Sequence, residues 1–431
     1  MQISPKGYRF LVPCLLPLAA LYLLWRARKQ PDYLKYWPER FAMADFPTPR
    51  ENRPQIWIHA VSVGETNATR PLVKALLEKW PECDILLTHM TPTGRDTGKR
   101  IIEMAPDRIR QCMLPYDAVY AVRKFLRQTK PVMGIIMETE VWPTFLEEAR
   151  VNGIPMVLAN ARLSEKSYNQ AMKFAAVMTD AMSKFTKVCA QSENDAKRLT
   201  AMGTVEPVVV GSLKFDIKAP AKALEMATTW KEAIEEKILL MASTRDGEEA
   251  PLIEAIERFR QANPETRVKY LLVPRHPQRF NEVEDLLKKS SLRYQKRSEM
   301  KTPADLKAET DVIFGDTMGE MFFFCAMADV TLMGGSFENF GCQNVIEPAS
   351  VGVPVIVGPS TFNFSTVVER AISMGAVDQV QNAQEAMEKA HRWLSNEEEL
   401  KKRKDNARAF SQAYVGSTER HMKVLEELWQ K

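Results

Sequence analysis

Residues 55–80 read QIWIHAVSVGETNATRPLVKALLEKW, and the rest of the chain is understood from them. A short apolar run, Gln55 to Ser62, breaks at Gly64 and is followed over 68–80 by a helical pattern. Strand, glycine turn and amphipathic helix in that order make the repeating unit of a parallel sheet clothed in helices. Glu65 stands at the turn. An acid just ahead of a helix is most often a cap that complements the helix dipole. The carboxyl end of a strand in an open α/β sheet is also where such folds keep their reactive groups. The spacing therefore leaves Glu65 open between cap and proton acceptor. The expectation taken forward is that its carboxylate is free to reach a ligand.

The same unit recurs after this stretch. DILLTHM (84–90), VMGIIME (132–138), IPMVLANA (154–161), KVCAQ (187–191) and VEPVVVGS (205–212) read as further strands, with helical patterns such as FLEEARVNG (145–153) between them. The Lys-, Pro- and Ala-rich segment FDIKAPAKA (215–223) interrupts the pattern, and a second set follows: KILLMAST (237–244), VKYLLVPR (268–275), DVIFGD (311–316), DVTLMGG (329–335) and PVIVGP (354–359). The expected fold is α/β, two Rossmann-like domains over 31–215 and 216–431, with the cleft between their strand ends as the ligand site.

At 431 residues the chain suits about two domains. A net charge of +4 and a pI near 8.6 are only mildly basic. With no stripe of Arg and Lys interleaved with aromatics, no nucleic-acid partner is expected. Six cysteines without a CxxC pair point to reduced thiols, and five histidines without ligand spacing give no protein-built metal site. The segment FLVPCLLPLAALYLLW (10–25) is uncharged, preceded by Lys6 and Arg9 and followed by Arg26, Arg28, Lys29 and Lys35. It falls short of the roughly 20 residues of a straight span, Pro13 and Pro17 interrupt it, and its end, YLLWRARK, lacks the small residues of a cleavage site. An uncleaved N-terminal anchor over 1–30, with the body on the cytoplasmic side, is the expectation.

Residues with chemistry gather after the strands. Arg275 and His276 end one strand of the second domain, and a guanidinium there suits a phosphate as a permanently charged, two-pronged donor. Gly315, Met318 and Gly319 lie in a turn, GDTMGEM, ahead of a helix expected to start at Met318. LMGGSFENFGCQNVIEP (332–348) supplies a glycine-rich loop with Ser336, then Asn344, and Glu347 as an acceptor for ribose hydroxyls. Such loops let a phosphate approach backbone amides. The first domain answers with acids, Glu65, Glu138 and Glu140, together with Thr91, Thr93, Gly94 and Arg162. Carboxylates on one side and cations on the other suit transfer from a nucleotide-activated donor to a hydroxyl.

In matching order from the N-terminal segment to about residue 375, WIHAVSVGET, LTHMTPTG, METEVWP, ANARLS, GSLKFD, VPRHPQRF, GDTMGE and the GGS…N…EP…GP…NF series resemble the 3-deoxy-D-manno-octulosonic acid (Kdo) transferases. The resemblance implies the GT-B fold and a membrane-anchored enzyme of lipopolysaccharide assembly. Such an enzyme takes Kdo from CMP-Kdo to lipid IVA at the cytoplasmic face of the inner membrane, inverting the anomeric centre with no cofactor and no metal. It assigns the general base to Glu65, a second acid to Glu138 or Glu140, and CMP binding to Arg275, His276, Gly315, Met318, Gly319, Ser336, Asn344 and Glu347. Lys214 and Arg162 are candidates for the Kdo carboxylate. Two positions depart from the family pattern: Gln343 replaces the histidine of Gly-Gly-His-Asn, and Arg245 replaces the histidine of Ser-Thr-His. The alternatives are a GT-B enzyme of another donor class, a sugar-nucleotide epimerase on the same architecture, and a two-domain binding protein without catalysis.

Overall fold

The computed structural model describes residues 3–28 and 30–429, so Lys29 of the basic flank lies outside the described residues. The chain divides into two compact units, Met1–Ile217 with Val415–Lys431, and Lys218–Tyr414. The first holds seven strands, β1 (Gln55–His59), β2 (Asp84–His89), β3 (Ile109–Met113), β4 (Pro131–Met137), β5 (Met156–Ala161), β6 (Lys187–Ala190) and β7 (Val208–Val209). They run parallel in the order β3-β2-β1-β4-β5-β6-β7. The second holds β8 (Lys237–Thr244), β9 (Val268–Pro274), β10 (Tyr294–Lys296), β11 (Val312–Phe314), β12 (Val330–Met333), β13 (Val355–Val357) and β14 (Val377–Gln379). These too are parallel, in the order β10-β11-β9-β8-β12-β13-β14.

Every residue of β1 and β2 is buried, which explains why both read as unbroken apolar runs: a parallel sheet is covered on both faces. One face packs Trp57 against Phe125 and Phe145, and the Trp57 indole donates to Thr88 Oγ1 at 2.8 Å, so the largest core side chain leaves no polar atom unpaired. After β1, β2 and β6 the chain turns into a helix through Ser62, Thr91 and Ser192, whose hydroxyls accept from the amide three residues on.

One boundary differs from expectation. The helix Ser417–Trp429 belongs to the first unit, not to a domain running from 216 to 431. It buries Met422, Val424 and Leu425, Trp429 stacks on Trp80 with centroids 4.5 Å apart, and Gly416 N–H donates to Asp216 at 2.7 Å. The N-terminal segment also differs. Pro13 and Pro17 do not interrupt it, and Pro5–Ala27 is one helix of 23 residues, capped by Ser4. Each proline removes one backbone donor while the turns on either side continue. The helix is long and apolar enough to cross a membrane, with mean hydropathy 1.8 and Phe10, Leu18 and Leu21 largely exposed. Its first turn is tied to the first unit through Tyr8, which donates to Asp117 at 3.0 Å, and an ion pair of Arg9 with Glu148.

Candidate active site

In each sheet the strand order reverses beside the first strand of the unit, between β1 and β4 and between β8 and β12. Loops leaving neighbouring strands there diverge to opposite faces and open a crevice, the usual ligand site of doubly wound sheets.

In the first unit those loops carry the acids. Glu65 lies in the first turn of the helix Val63–Lys79 and its carboxylate turns back on the loop: Val61 N–H donates to Oε2 at 2.8 Å and Ser62 Oγ to Oε1 at 2.9 Å. The expectation of an untethered carboxylate is thus corrected. Ser62 and Glu65 have the spacing of a capping box, and the acid completes it by reaching one residue further back than usual. A carboxylate has about four acceptor positions and two are engaged, so each oxygen keeps a lone pair for a proton. Burial, then the charges of Glu138 and Glu140, outweigh these hydrogen bonds and push Glu65 up to about 7. Thr91, expected to offer a hydroxyl, donates it to Val61 O at 2.9 Å and accepts from Gly94 N–H at 3.0 Å, so it braces the same loop.

Glu138 follows β4 with φ +59°, a left-handed backbone that a residue with a Cβ rarely adopts, so the surroundings hold it there. Lys214 Nζ pairs with its Oε1 at 2.9 Å, which engages Lys214 with an acid instead of leaving it to a sugar carboxylate. Asn160 Nδ2 also approaches that oxygen, at 3.4 Å. Asn160, at φ +52° and fully buried, has its backbone N–H donating to His421 Nε2 at 2.9 Å, while its Oδ1 accepts from Leu213 N–H at 3.0 Å. His421 Nδ1 lies 2.8 Å from Ser417 O, which can only accept. The ring is therefore neutral and protonated on Nδ1, in keeping with burial holding it down at about 4. Glu140, raised first by burial, completes the acid group, and Arg162 leaves β5 beside it, its backbone N–H donating to Glu138 O at 3.4 Å.

In the second unit the two switch-point loops are locked together by Glu248. Its buried carboxylate accepts from the amides of Arg245 and Gly335, both at 2.7 Å, and of Phe337 at 2.9 Å and Glu338 at 3.4 Å. Gly334 is required because a Cβ there would sit 2.4 Å from Ser243 O, where the two loops touch. The glycine-rich loop therefore differs from the phosphate cradle expected of it: an internal carboxylate fills it. Ser336 differs too. It is fully buried, donating to Met333 O at 2.5 Å and accepting from Gly358 N–H at 2.7 Å, a structural role.

Helix starts also fall elsewhere. The helix after the GDTMGEM turn begins at Met321, not Met318, and Met318 is exposed beside Gly319 at φ +86°. Gly315 is packed so closely on β9 that a Cβ would meet Val273 at 2.7 Å. Asn344 Oδ1 accepts from Ile346 N–H at 3.1 Å just ahead of the short helix Ile346–Ser350. Arg275 donates from Nε to Gln343 Oε1 at 3.3 Å, and burial lowers its pKa against the opposing pull of Glu347. Arg245 lies over the Phe340 ring at 4.3 Å. His276 is held below the usual imidazole value by desolvation and by Arg245, Arg275 and Arg279. The two residues that depart from the family pattern thus meet at one place.

Three functional supports were not anticipated, Glu248, Asn160 and His421. The Ser62-x-x-Glu65 spacing was a readable signal of how Glu65 is held. Nothing local marks His421, because its partner lies 261 residues away in the chain.

Two seven-stranded parallel sheets, each with chemistry-bearing loops at its switch point, make up a fold of GT-B type. Solved structures with 13–14% identity share the fold: the UDP-GlcNAc 2-epimerase of Neisseria meningitidis bound to UDP-GlcNAc (TM-score 0.58, covering 86% of this chain and 100% of that one) and a UDP-N-acetylglucosamine 2-epimerase from Listeria monocytogenes (0.57; 88% and 97%). Residues 35–217 match the family model of 3-deoxy-D-manno-octulosonic-acid transferase (kdotransferase) and 235–410 that of glycosyl transferases group 1. The 3-deoxy-D-manno-octulosonic acid transferase of Bordetella pertussis is 40% identical over 96% of both chains, and that of Haemophilus influenzae 32% identical over 91% of this chain and 90% of its own. The chain belongs to the Kdo transferase family and is a glycosyltransferase.

Proposed function

We propose that this enzyme transfers Kdo from CMP-Kdo to lipid IVA in lipopolysaccharide synthesis, in a single displacement that inverts the anomeric carbon. The observation that carries the mechanism is Glu65: a carboxylate held by Val61 and Ser62, with free lone pairs and a pKa raised to about 7 by burial and neighbouring acids. That value suits a group that must be ionised at neutral pH yet basic enough to take a proton. The acceptor hydroxyl oxygen attacks the anomeric carbon, its proton passes to Glu65, the bond to the phosphate oxygen breaks, and CMP leaves with the electron pair. Glu138 and Glu140 keep Glu65 basic, and Lys214 holds the Glu138 carboxylate in place by an ion pair. Arg162 is a candidate for the Kdo carboxylate. On the donor side Arg275 meets the phosphate, Glu347 the ribose, and His276, Asn344 and the Gly315–Gly319 turn line the nucleotide.

The helix Pro5–Ala27 and its basic flank support attachment to the inner membrane, with the body at the cytoplasmic face where an anionic lipid would be met. The test supplies CMP-Kdo generated in situ with lipid IVA and follows the mass of the lipid. Addition of Kdo by the wild type, lost in Glu65→Gln, is expected. Absence of any Kdo adduct would overturn the function, and a near-normal rate in the variant would overturn the assignment of the base.

A further inference from the structure

We propose that the donor's phosphate sits between two guanidiniums, Arg245 and Arg275, and not on the backbone of the glycine-rich loop. This rests on the CMP-sugar reading above and assigns one of its subsites. The loop's amides at Gly335, Phe337 and Glu338 already donate to Glu248, and the Ser336 hydroxyl is engaged between Met333 and Gly358. The helices Met321–Met327 and Ile346–Ser350 span seven and five residues, too few for a developed dipole, and the longer helix Glu249–Ala262 that follows Arg245 begins with two acids, Glu248 and Glu249. Side chains must therefore supply most of the positive charge.

Both arginines are built into position. Arg245 follows β8, its backbone N–H is fixed by Glu248, and its guanidinium lies on the Phe340 ring. Arg275 follows the adjacent strand β9, its backbone N–H donates to Thr244 O at 3.0 Å, and Gln343 orients its Nε. Gln343 stands between them: its Oε1 accepts from Arg275, and a Cβ at Gly335 would meet Gln343 Nε2 at 2.9 Å and Arg245 Cγ at 3.5 Å. Arg279, the third guanidinium of the group, is neutralised by Asp246, Glu249 and Glu282. Among the described residues neither Arg245 nor Arg275 forms an ion pair with a carboxylate, and Arg275 feels the opposing charges of Glu347 and Arg245. Two guanidiniums that are not paired directly with a carboxylate can both donate to an anion between them, and a phosphate accepts from both forks.

The inference is tested by titrating CMP and cytidine separately into the wild type, Arg275→Gln, Arg245→Gln and Arg245→Lys, with thermal unfolding as a check on folding. Arg245→Gln should weaken CMP by ten- to a hundredfold, as Arg275→Gln does, and leave cytidine unchanged, since only the phosphate is lost between the two probes. Arg245→Lys, which keeps the charge without the fork, should fall between. Unchanged CMP affinity in Arg245→Gln, in a wild type that transfers Kdo, overturns this inference alone. A wild type that transfers no Kdo overturns the function instead.

Discussion

At the scale of the residue, the proposed mechanism joins in Glu65 two roles that are usually alternatives. The hydrogen bonds that make it a cap also aim its carboxylate, and burial beside Glu138 and Glu140 makes it basic. Its pKa, raised from 4.5 to about 7, fixes the sign of a pH effect: below pH 7 Glu65 is mostly protonated and cannot accept, above it the carboxylate is available. Plotted against pH, kcat should climb through about 7 to a plateau. Glu65→Gln should lower the plateau by roughly 10²–10⁴ and abolish the climb. The same variant removes a charge that the fold holds at a cost, so its unfolding temperature at pH 8 should equal or exceed the wild type's; a clear drop would mean the acid is chiefly a structural cap.

At the scale of the element, the turn after β2 supports the turn after β1. A Cβ at Gly94 would lie 2.7 Å from Val61 O and 2.9 Å from Thr91 Oγ1, and the first of these is backbone that cannot swing aside. Gly94→Ala should displace Val61, whose N–H holds Glu65, and reduce kcat roughly ten- to a hundredfold with the KM for the donor little altered. A proportional rise in that KM would place the damage elsewhere. The strands that were legible in the sequence are those buried on both faces, such as β1, β2 and β8, because burial on both sides forces a continuous apolar run. Those that were not are the edge strands β3, β10 and β14, short and mixed in polarity, where Arg110, Gln295 and Asp378 are tolerated because one side lacks a neighbouring strand. The motif loops were found at the right strand ends, but what fills them was hidden. A glycine-rich loop has the same composition whether its amides face a phosphate or, as here, Glu248.

At the scale of the molecule, contacts far apart in sequence hold the first unit together. His421, neutral at Asn160, has a pKa of about 4 against 6.5 in the unfolded chain, so its contribution is complete above pH 6.5 and is lost as pH falls toward 4. His421→Gln keeps an acceptor and a donor without titrating; its stability relative to the wild type should therefore improve steadily from pH 7 to pH 4.5 in denaturant unfolding, and a pH-independent difference would remove His421 from the linkage. Deleting residues 1–28 takes away a helix of which only Leu23 is buried, so the remainder should stay folded and add Kdo to detergent-dispersed acceptor while losing its association with membrane vesicles. The return of Ser417–Trp429 to the first unit also bears on synthesis. A chain leaving the ribosome offers Asn160 long before His421, and the whole of 218–414 is made in between. The second unit is therefore synthesised whole before the first can close, and a polypeptide cut short after 414 would leave the Asn160 N–H without the imidazole nitrogen that receives it.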